Sequence, residues 1–215
     1  MPTVRPPLPP AVTEGRIVAI GRRLDPRLVD GVAGALIDAG VAAFEITLNE
    51  PEADALGSIE RLARGFGDRM LVGAGTVRSI DAARRAIDAG ATFLVSPHTD
   101  EALVRWAAAR GIPALPGALT PTEVVRAWDA GAAAVKLFPA GIGGPGYLRE
   151  LRGPLTEIAY VPTGGVSAEN AGDFIRAGAV AVGLGTWLIG DGAPDGVRER
   201  ATAVRASIAR ALEAR

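Results

Sequence analysis

The sequence contains no cysteine and a single histidine, His98. The first absence excludes disulfides and thiolate chemistry, and the second leaves no histidine set from which a metal site could be assembled. Lysine is nearly missing too: of 23 basic residues only Lys136 is a lysine, and the rest are arginine. No uninterrupted apolar run approaches the roughly 18 to 20 residues that a membrane span requires, and Met1–Pro10 lacks the apolar core of a signal peptide. A soluble, cytoplasmic chain is expected. An excess charge of one sign is also lacking, since 23 basic against 24 acidic residues leave −1. No general field therefore draws the molecule to nucleic acid or to an anionic membrane, and its ligand must be recognised locally.

What is present is a chain that is 48% hydrophobic, enough to exclude a disordered tail. Richness in Ala, Gly, Arg and Pro is the mark of a GC-rich genome, which replaces lysine wherever arginine will serve. Lys136 thus marks a place where arginine does not serve. Nothing resembles a linker after residue 15, so one domain is expected over 16–215. It follows a proline-rich arm at 1–15, whose prolines oppose helix formation and predict an extended or floppy segment.

A phrase recurs along the domain: a helix ends in Ala-Gly and a short strand follows. It closes at Gly40, Gly90, Gly131 and Gly178, each placed as a helix C-cap. Between the strands that follow these glycines lie further strand candidates at 16–20, 70–74, 112–115 and 158–162. Helix starts agree, with Asp25-Pro26, with Ser167, and with Thr120-Pro121, where Glu123 completes a capping-box pattern. Eight units at this spacing predict a compact (β/α)8 TIM barrel of parallel strands. The alternative, a doubly wound sheet, should carry a glycine fingerprint after the first strand, and Ile20-Gly21-Arg22-Arg23 is none. The G-x-G-x-x-G at Gly141–Gly146 comes too late in the chain to serve as one.

Strand parity sorts the side chains. Phe44, Ile46 and Leu48 form the helix-facing set of the second strand, so Ala43, Glu45 and Thr47 point inward. In the sixth, Val135 and Leu137 face the helices, leaving Ala134, Lys136 and Phe138 inside. An acid and an amine are thereby predicted to share one interior. A buried ion pair that fixes register is the structural alternative, but desolvation makes such pairs weak devices for stability alone. An amine in a partly dehydrated barrel mouth can attack a carbonyl, which a guanidinium cannot. A neighbouring carboxyl can move the protons that imine formation requires. Schiff-base chemistry is the expectation.

The loops after the seventh and eighth strands, Pro162–Ser167 and Gly183–Trp187, are glycine-rich, at the place where barrels of this kind often seat a phosphate. Thr186 adds a hydroxyl. Other rim residues are Thr76, Pro97, His98, Pro116 and Gly117. Arg22 and Arg23, just beyond the first strand, are the cations available to a carboxylate or phosphate.

With these residues placed, the chain resembles the class I 2-keto-3-deoxy-6-phosphogluconate aldolases, a family that includes the phosphogalactonate enzymes. The resemblance runs from about Val18 to Ile189. Its motifs are Glu45-Ile46-Thr47-Leu48, Gly73-Ala74-Gly75-Thr76-Val77, Val95-Ser96-Pro97, Leu115-Pro116-Gly117, Val135–Ala140 and Pro162–Val166. It implies that Lys136 forms the Schiff base and that Glu45 is the general acid/base, acting through a water. It also implies that Thr76 holds the pyruvate carboxylate, that Phe138 and Pro97 pack on the pyruvyl group, and that Gly164, Gly165, Gly185 and Thr186 seat the phosphate. The implied reaction is reversible cleavage to pyruvate and glyceraldehyde 3-phosphate, with no metal or other cofactor, in a homotrimer. Two departures bear on the substrate. Asn49 stands where gluconate-type members carry an arginine, and Arg22 matches the arginine that galactonate-type members use instead. Thr163 matches the gluconate type, and its hydroxyl can select the orientation of the C4 hydroxyl. The gluconate epimer is expected, with the galactonate epimer or 4-hydroxy-2-oxoglutarate as alternatives on the same site. A sensor that binds phosphosugars without turnover is the alternative from another class.

Overall fold

The computed structural model describes residues 5–49 and 51–213. Helices and parallel strands alternate along most of the chain, giving an α/β fold. Its main sheet has six parallel strands, β1 (Ile17–Gly21), β2 (Ala43–Thr47), β3 (Leu71–Gly75), β4 (Phe93–Val95), β5 (Ala114–Leu115) and β8 (Val182–Leu184), in the order β5-β4-β3-β2-β1-β8. A second parallel pair joins β6 (Gly117–Ala118) to β7 (Lys136–Leu137).

The eight strands expected from sequence are not equal. The fifth is split in two by Pro116, which has no N–H for the ladder although its carbonyl still accepts from the Lys136 N–H at 2.9 Å. The expected seventh, 158–162, forms no named strand. It contributes one isolated parallel bridge, Tyr160 to Val135, and a second joins Thr163, just beyond it, to Gly183, on the far side of Pro162, another residue without a donor.

The Ala-Gly phrase behaves as expected. Gly40, Gly90, Gly131 and Gly178 have φ of 74°, 102°, 102° and 101°, a region cheap only for glycine. Each N–H bonds the carbonyl three residues back, and the next N–H reaches five back, as Val41 does to Leu36 at 2.8 Å. This is the Schellman arrangement. A fifth copy, hidden from the phrase because Arg110 replaces alanine, ends at Gly111 with φ 70°. Thr120 and Glu123 form the predicted capping box at α6 (Pro121–Asp129). Asp25 instead closes a turn by accepting from the Arg27 N–H at 2.9 Å, and α2 (Val29–Asp38) begins three residues later than Asp25-Pro26 suggests.

The parity rule divides the core in two. Phe44, Ile46, Val135 and Leu137 lie in the cluster between strands and helices, which includes α3 (Glu52–Phe66), α8 (Ala171–Arg176) and α10 (Pro194–Glu213). Ala43 and Ala134 lie in a separate inner cluster with Val18, Phe93 and Leu115. The sixth member of interest is Val12, in the arm expected to be extended or floppy: residues 1–4 of that arm lie outside the described residues, and 10–13 form a helical turn instead. Pro10 takes the first position of a one-turn helix, α1 (Pro10–Thr13), where a missing N–H costs nothing. Val12 is then fully buried in the inner cluster. Arg5 holds the segment down, donating to the carbonyls of Trp128 and Ala132 at 2.7 and 2.8 Å and stacking 3.4 Å from the Trp128 ring centroid.

Candidate active site

Glu45, at the centre of β2, and Lys136, opening β7, meet in the interior. Nζ lies 3.9 Å from Oε1, with the side chains 6% and 1% exposed. That distance is long for a charge-assisted hydrogen bond, and Oε1 has no hydrogen-bond partner among the described residues. Burial pushes the Glu45 carboxyl above the usual carboxylate range, opposed by the positive charges of Lys136 and Arg22. A void of about 10 Å³ separates the pair from Val95, Leu115 and Thr163, a space on the scale of one water molecule. The Phe138 ring stands 5.3 Å from Nζ and forms an aromatic wall.

Beside this void opens a cavity of about 310 Å³, walled by Arg22, Phe138, Thr163, Gly164, Gly165 and the turn Gly185-Thr186-Trp187. Thr163, Ile20 and Gly183 line both spaces. The void beside the buried amine and carboxyl is thus adjacent to the larger recess, whose wall carries the glycine loops. Gly164 and Gly165 take φ of 84° and 77°, which leaves their peptide groups free to follow a path that L side chains resist.

The remaining predicted residues lie around this recess without lining it. Thr76 follows β3 half-buried, in the left-handed region at φ 58°, a strained conformation for a β-branched residue. Asn49 accepts from the Thr47 hydroxyl at 2.6 Å and lines a separate cavity of about 270 Å³ with Arg23. Pro97 is half-buried against Gly117, where a Cβ would lie 2.4 Å from the Pro97 carbonyl. His98 is exposed, and only its carbonyl is engaged, by the Ser96 hydroxyl at 2.8 Å. Among the described residues no group of three or more His, Asp or Glu side chains is arranged to hold a metal ion.

Two contributors stood in the sequence only as members of a motif and a loop, with no role of their own. Gly75 is the mould for the acid: a Cβ there would lie 2.7 Å from Glu45 Oε1 and 3.0 Å from its Cδ. The signal was available, since Gly75 shares inward parity with Gly73 on β3, but parity names only the face and not the neighbour. Trp187 forms part of the cavity wall at the start of α9 (Thr186–Ile189), and nothing in its spacing marks it.

A buried amine facing a carboxyl among parallel strands is an arrangement suited to chemistry on a carbonyl group. Residues 10–198 match the family described as KDPG and KHG aldolase. The chain is 40% identical to the probable 2-dehydro-3-deoxy-6-phosphogalactonate aldolase of Rhizobium meliloti, over 94% of this chain and 95% of that relative. It is 36% identical to the 2-dehydro-3-deoxy-phosphogluconate aldolase of Pseudomonas aeruginosa, over 80% and 76%. Among solved structures, one described as native KDPGal superimposes with a TM-score of 0.86 at 34% identity, covering 92% of this chain and 96% of that one. The KDPG aldolase of Legionella pneumophila, holding pyruvate as a covalent carbinolamine, gives 0.78 at 26% identity, covering 94% and 98%. The chain belongs to the KDPG and KHG aldolase family and is a class I aldolase.

Proposed function

We propose that this aldolase cleaves 2-keto-3-deoxy-6-phosphogluconate reversibly into pyruvate and glyceraldehyde 3-phosphate, with Lys136 as the Schiff-base lysine. The observation that carries the reading is the buried Lys136–Glu45 pair at 3.9 Å, whose small void shares Ile20, Thr163 and Gly183 with the glycine-lined recess. The Lys136 amine adds to the C2 carbonyl, and loss of water leaves an iminium. As the C3–C4 bond breaks, its electron pair passes into the iminium to give an enamine, while the C4 hydroxyl proton passes to the Glu45 carboxylate, directly or through a water in the small void. Glyceraldehyde 3-phosphate departs. Glu45 then returns the proton to C3 of the enamine, and hydrolysis of the pyruvyl imine frees pyruvate and Lys136. The electron sink is the protein's own imine, so no metal or other cofactor enters the sequence.

Around that centre, Phe138 and Pro97 pack on the pyruvyl group, and Thr76 holds its carboxylate with Arg22. Gly164, Gly165, Gly185 and Thr186 receive the phosphate. Thr163 lines both spaces, between the amine and the phosphate end, where the middle of a six-carbon chain would lie. Its hydroxyl is bonded only weakly within the protein, donating to the Val161 carbonyl at 3.3 Å. This supports the gluconate epimer. The galactonate epimer is the second reading, favoured by Asn49, by Arg22 and by what the 40%-identical relative is named for. Incubation with pyruvate and borohydride, followed by mass spectrometry, should place a reduced pyruvyl group on Lys136; an unmodified Lys136 in active protein overturns the mechanism. Coupled assay of pyruvate release should run faster on the gluconate epimer, and equal rates remove the role assigned to Thr163.

The fold is proposed to be a (β/α)8 barrel in which the bridges at Tyr160 and Thr163 connect the β6–β7 pair to β8. Val161 N–H to the Val135 carbonyl at 2.9 Å and Gly183 N–H to the Pro162 carbonyl at 2.8 Å support that closure. A cytoplasmic homotrimer is proposed, testable by sedimentation; no helix among the described residues is long and apolar enough to cross a membrane.

A further inference from the structure

The loop from Gly164 to Asn170 walls the outer recess, and it is held from both sides. On one side Gly165 backs onto the turn after β7 so closely that a Cβ on Gly165 would lie 2.8 Å from the Gly141 Cα. The Gly141 N–H donates to the Gly164 carbonyl at 2.8 Å. On the other side, where the Ala171 N–H also reaches the Ser167 carbonyl at 3.0 Å and the Ser167 hydroxyl donates to Glu169, one side chain bonds the main chain at two points. Asn170 Oδ1 accepts from the Ser167 N–H at 2.9 Å, and Asn170 Nδ2 donates to the Gly165 carbonyl at 2.8 Å.

Asn170 directly precedes α8, the position from which asparagine ordinarily caps a helix by accepting from an N–H one turn forward. It makes no such bond here. Both of its polar atoms are turned back onto the loop, so its service is to residues 165–167 and not to the helix that follows. Both bonds are to main chain, so they fix the backbone path directly. One of them occupies the Gly165 carbonyl, an acceptor whose partial negative charge would oppose an anion.

We propose that Asn170 is the positioning residue of the anion seat: it holds the Gly164–Ser167 backbone in the shape that receives the substrate phosphate and takes no part in the chemistry at Lys136. The inference rests on the assignment of the phosphate to this recess. It predicts a loss confined to ligands that carry phosphate.

The test compares the full-length protein with Asn170→Ala and Asn170→Asp. Inorganic phosphate binding is measured by titration calorimetry, together with kcat and KM on 2-keto-3-deoxy-6-phosphogluconate and on unphosphorylated 4-hydroxy-2-oxoglutarate, and borohydride trapping of pyruvate. In Asn170→Ala the phosphate Kd and the KM for the phosphorylated substrate should rise together by about tenfold, the loss expected when two main-chain tethers go. Turnover at saturation, the unphosphorylated substrate and pyruvate trapping should stay within about twofold, because the Lys136–Glu45 pair is untouched. Asn170→Asp keeps the acceptor but sets a carboxylate against the Gly165 carbonyl, and should weaken phosphate at least as much. Equal losses on both substrates, or unchanged phosphate affinity, overturn the proposal. If wild-type protein traps no pyruvate, the reading of Lys136 fails, and phosphate affinity still decides the role of Asn170.

Discussion

The two ends of the strand interior are made of the same strands and the same parity, yet they are opposites. At the N-terminal end Val12, Val18, Ala43 and Ala134 belong to one apolar cluster, in which each group finds another of its kind. Two residues further along, at the same parity, Ala43 gives way to Glu45 and Ala134 to Lys136. There a carboxyl oxygen is buried with no hydrogen-bond partner among the described residues, and the amine stands too far away to satisfy it. Apolar residues would serve stability at least as well at those positions. The lower end is closed by apolar packing; the upper holds a buried amine and carboxyl at a cost in stability, as expected of the reactive pair proposed there.

That contrast is most sharply tested at Lys136. Lys136→Arg keeps the charge and nearly the length, but a guanidinium is no nucleophile near neutral pH. Turnover should fall to background, with no borohydride-trapped adduct and a folded circular dichroism spectrum; residual turnover would return the pair to a register-fixing role. Next comes Glu45→Gln, for which kcat should drop by about 10² to 10⁴, the range for lost acid–base catalysis. Its stability carries a second signature. Because burial raises the Glu45 carboxyl, the folded protein binds that proton more tightly than the unfolded chain. Its contribution is fully present below the unfolded value of about 4.3 and is lost as pH rises through the raised folded value. Denaturant midpoints of wild type should therefore decline relative to Glu45→Gln across that window, and parallel curves would show that Glu45 is not desolvated in solution.

Smaller effects separate the two ends. Gly75→Ala sets a methyl 2.7 Å from Glu45 Oε1, and should cost about 1–3 kcal/mol by overpacking while lowering kcat. A variant with unchanged kcat would show that the acid can move freely. Val12→Ala opens the apolar floor and should lower stability by about 1–2 kcal/mol in chemical unfolding. Its kcat should match wild type, and a proportional fall in activity would mean that the two ends are coupled.

Much of this was legible in the chain because it is local or periodic. The Ala-Gly phrase located the helix ends, since the left-handed residue that closes a helix is best supplied by glycine. Alternation on the second and sixth strands placed Glu45 and Lys136 inside, and codon-level scarcity singled out Lys136. The misses have physical reasons of equal clarity. Pro116 and Pro162 interrupt ladders in stretches whose apolar content reads as strand. Proline at 1–10 reads as an obstacle to helix, whereas Pro10 opens α1 at the one position that tolerates it, and Val12 makes that turn worth forming. Ser167 reads as a helix start, whereas α8 begins at Ala171, and Asn170, which no motif singled out, turns its hydrogen bonds back onto the loop.

By itself the sequence determined the order of elements, the faces of the strands and the identity of the amine and the acid, because backbone propensity and a two-residue period act over short distances. Only the tertiary structure decided that Nζ and Oε1 stop 3.9 Å apart, that Gly75 leaves the room for that carboxyl, and that Asn170 turns back onto the glycine loop. Those are relations between segments far apart in the chain or between side chains and backbone, and they are set by packing, which excludes overlap and leaves buried polar groups only the partners that geometry brings within reach.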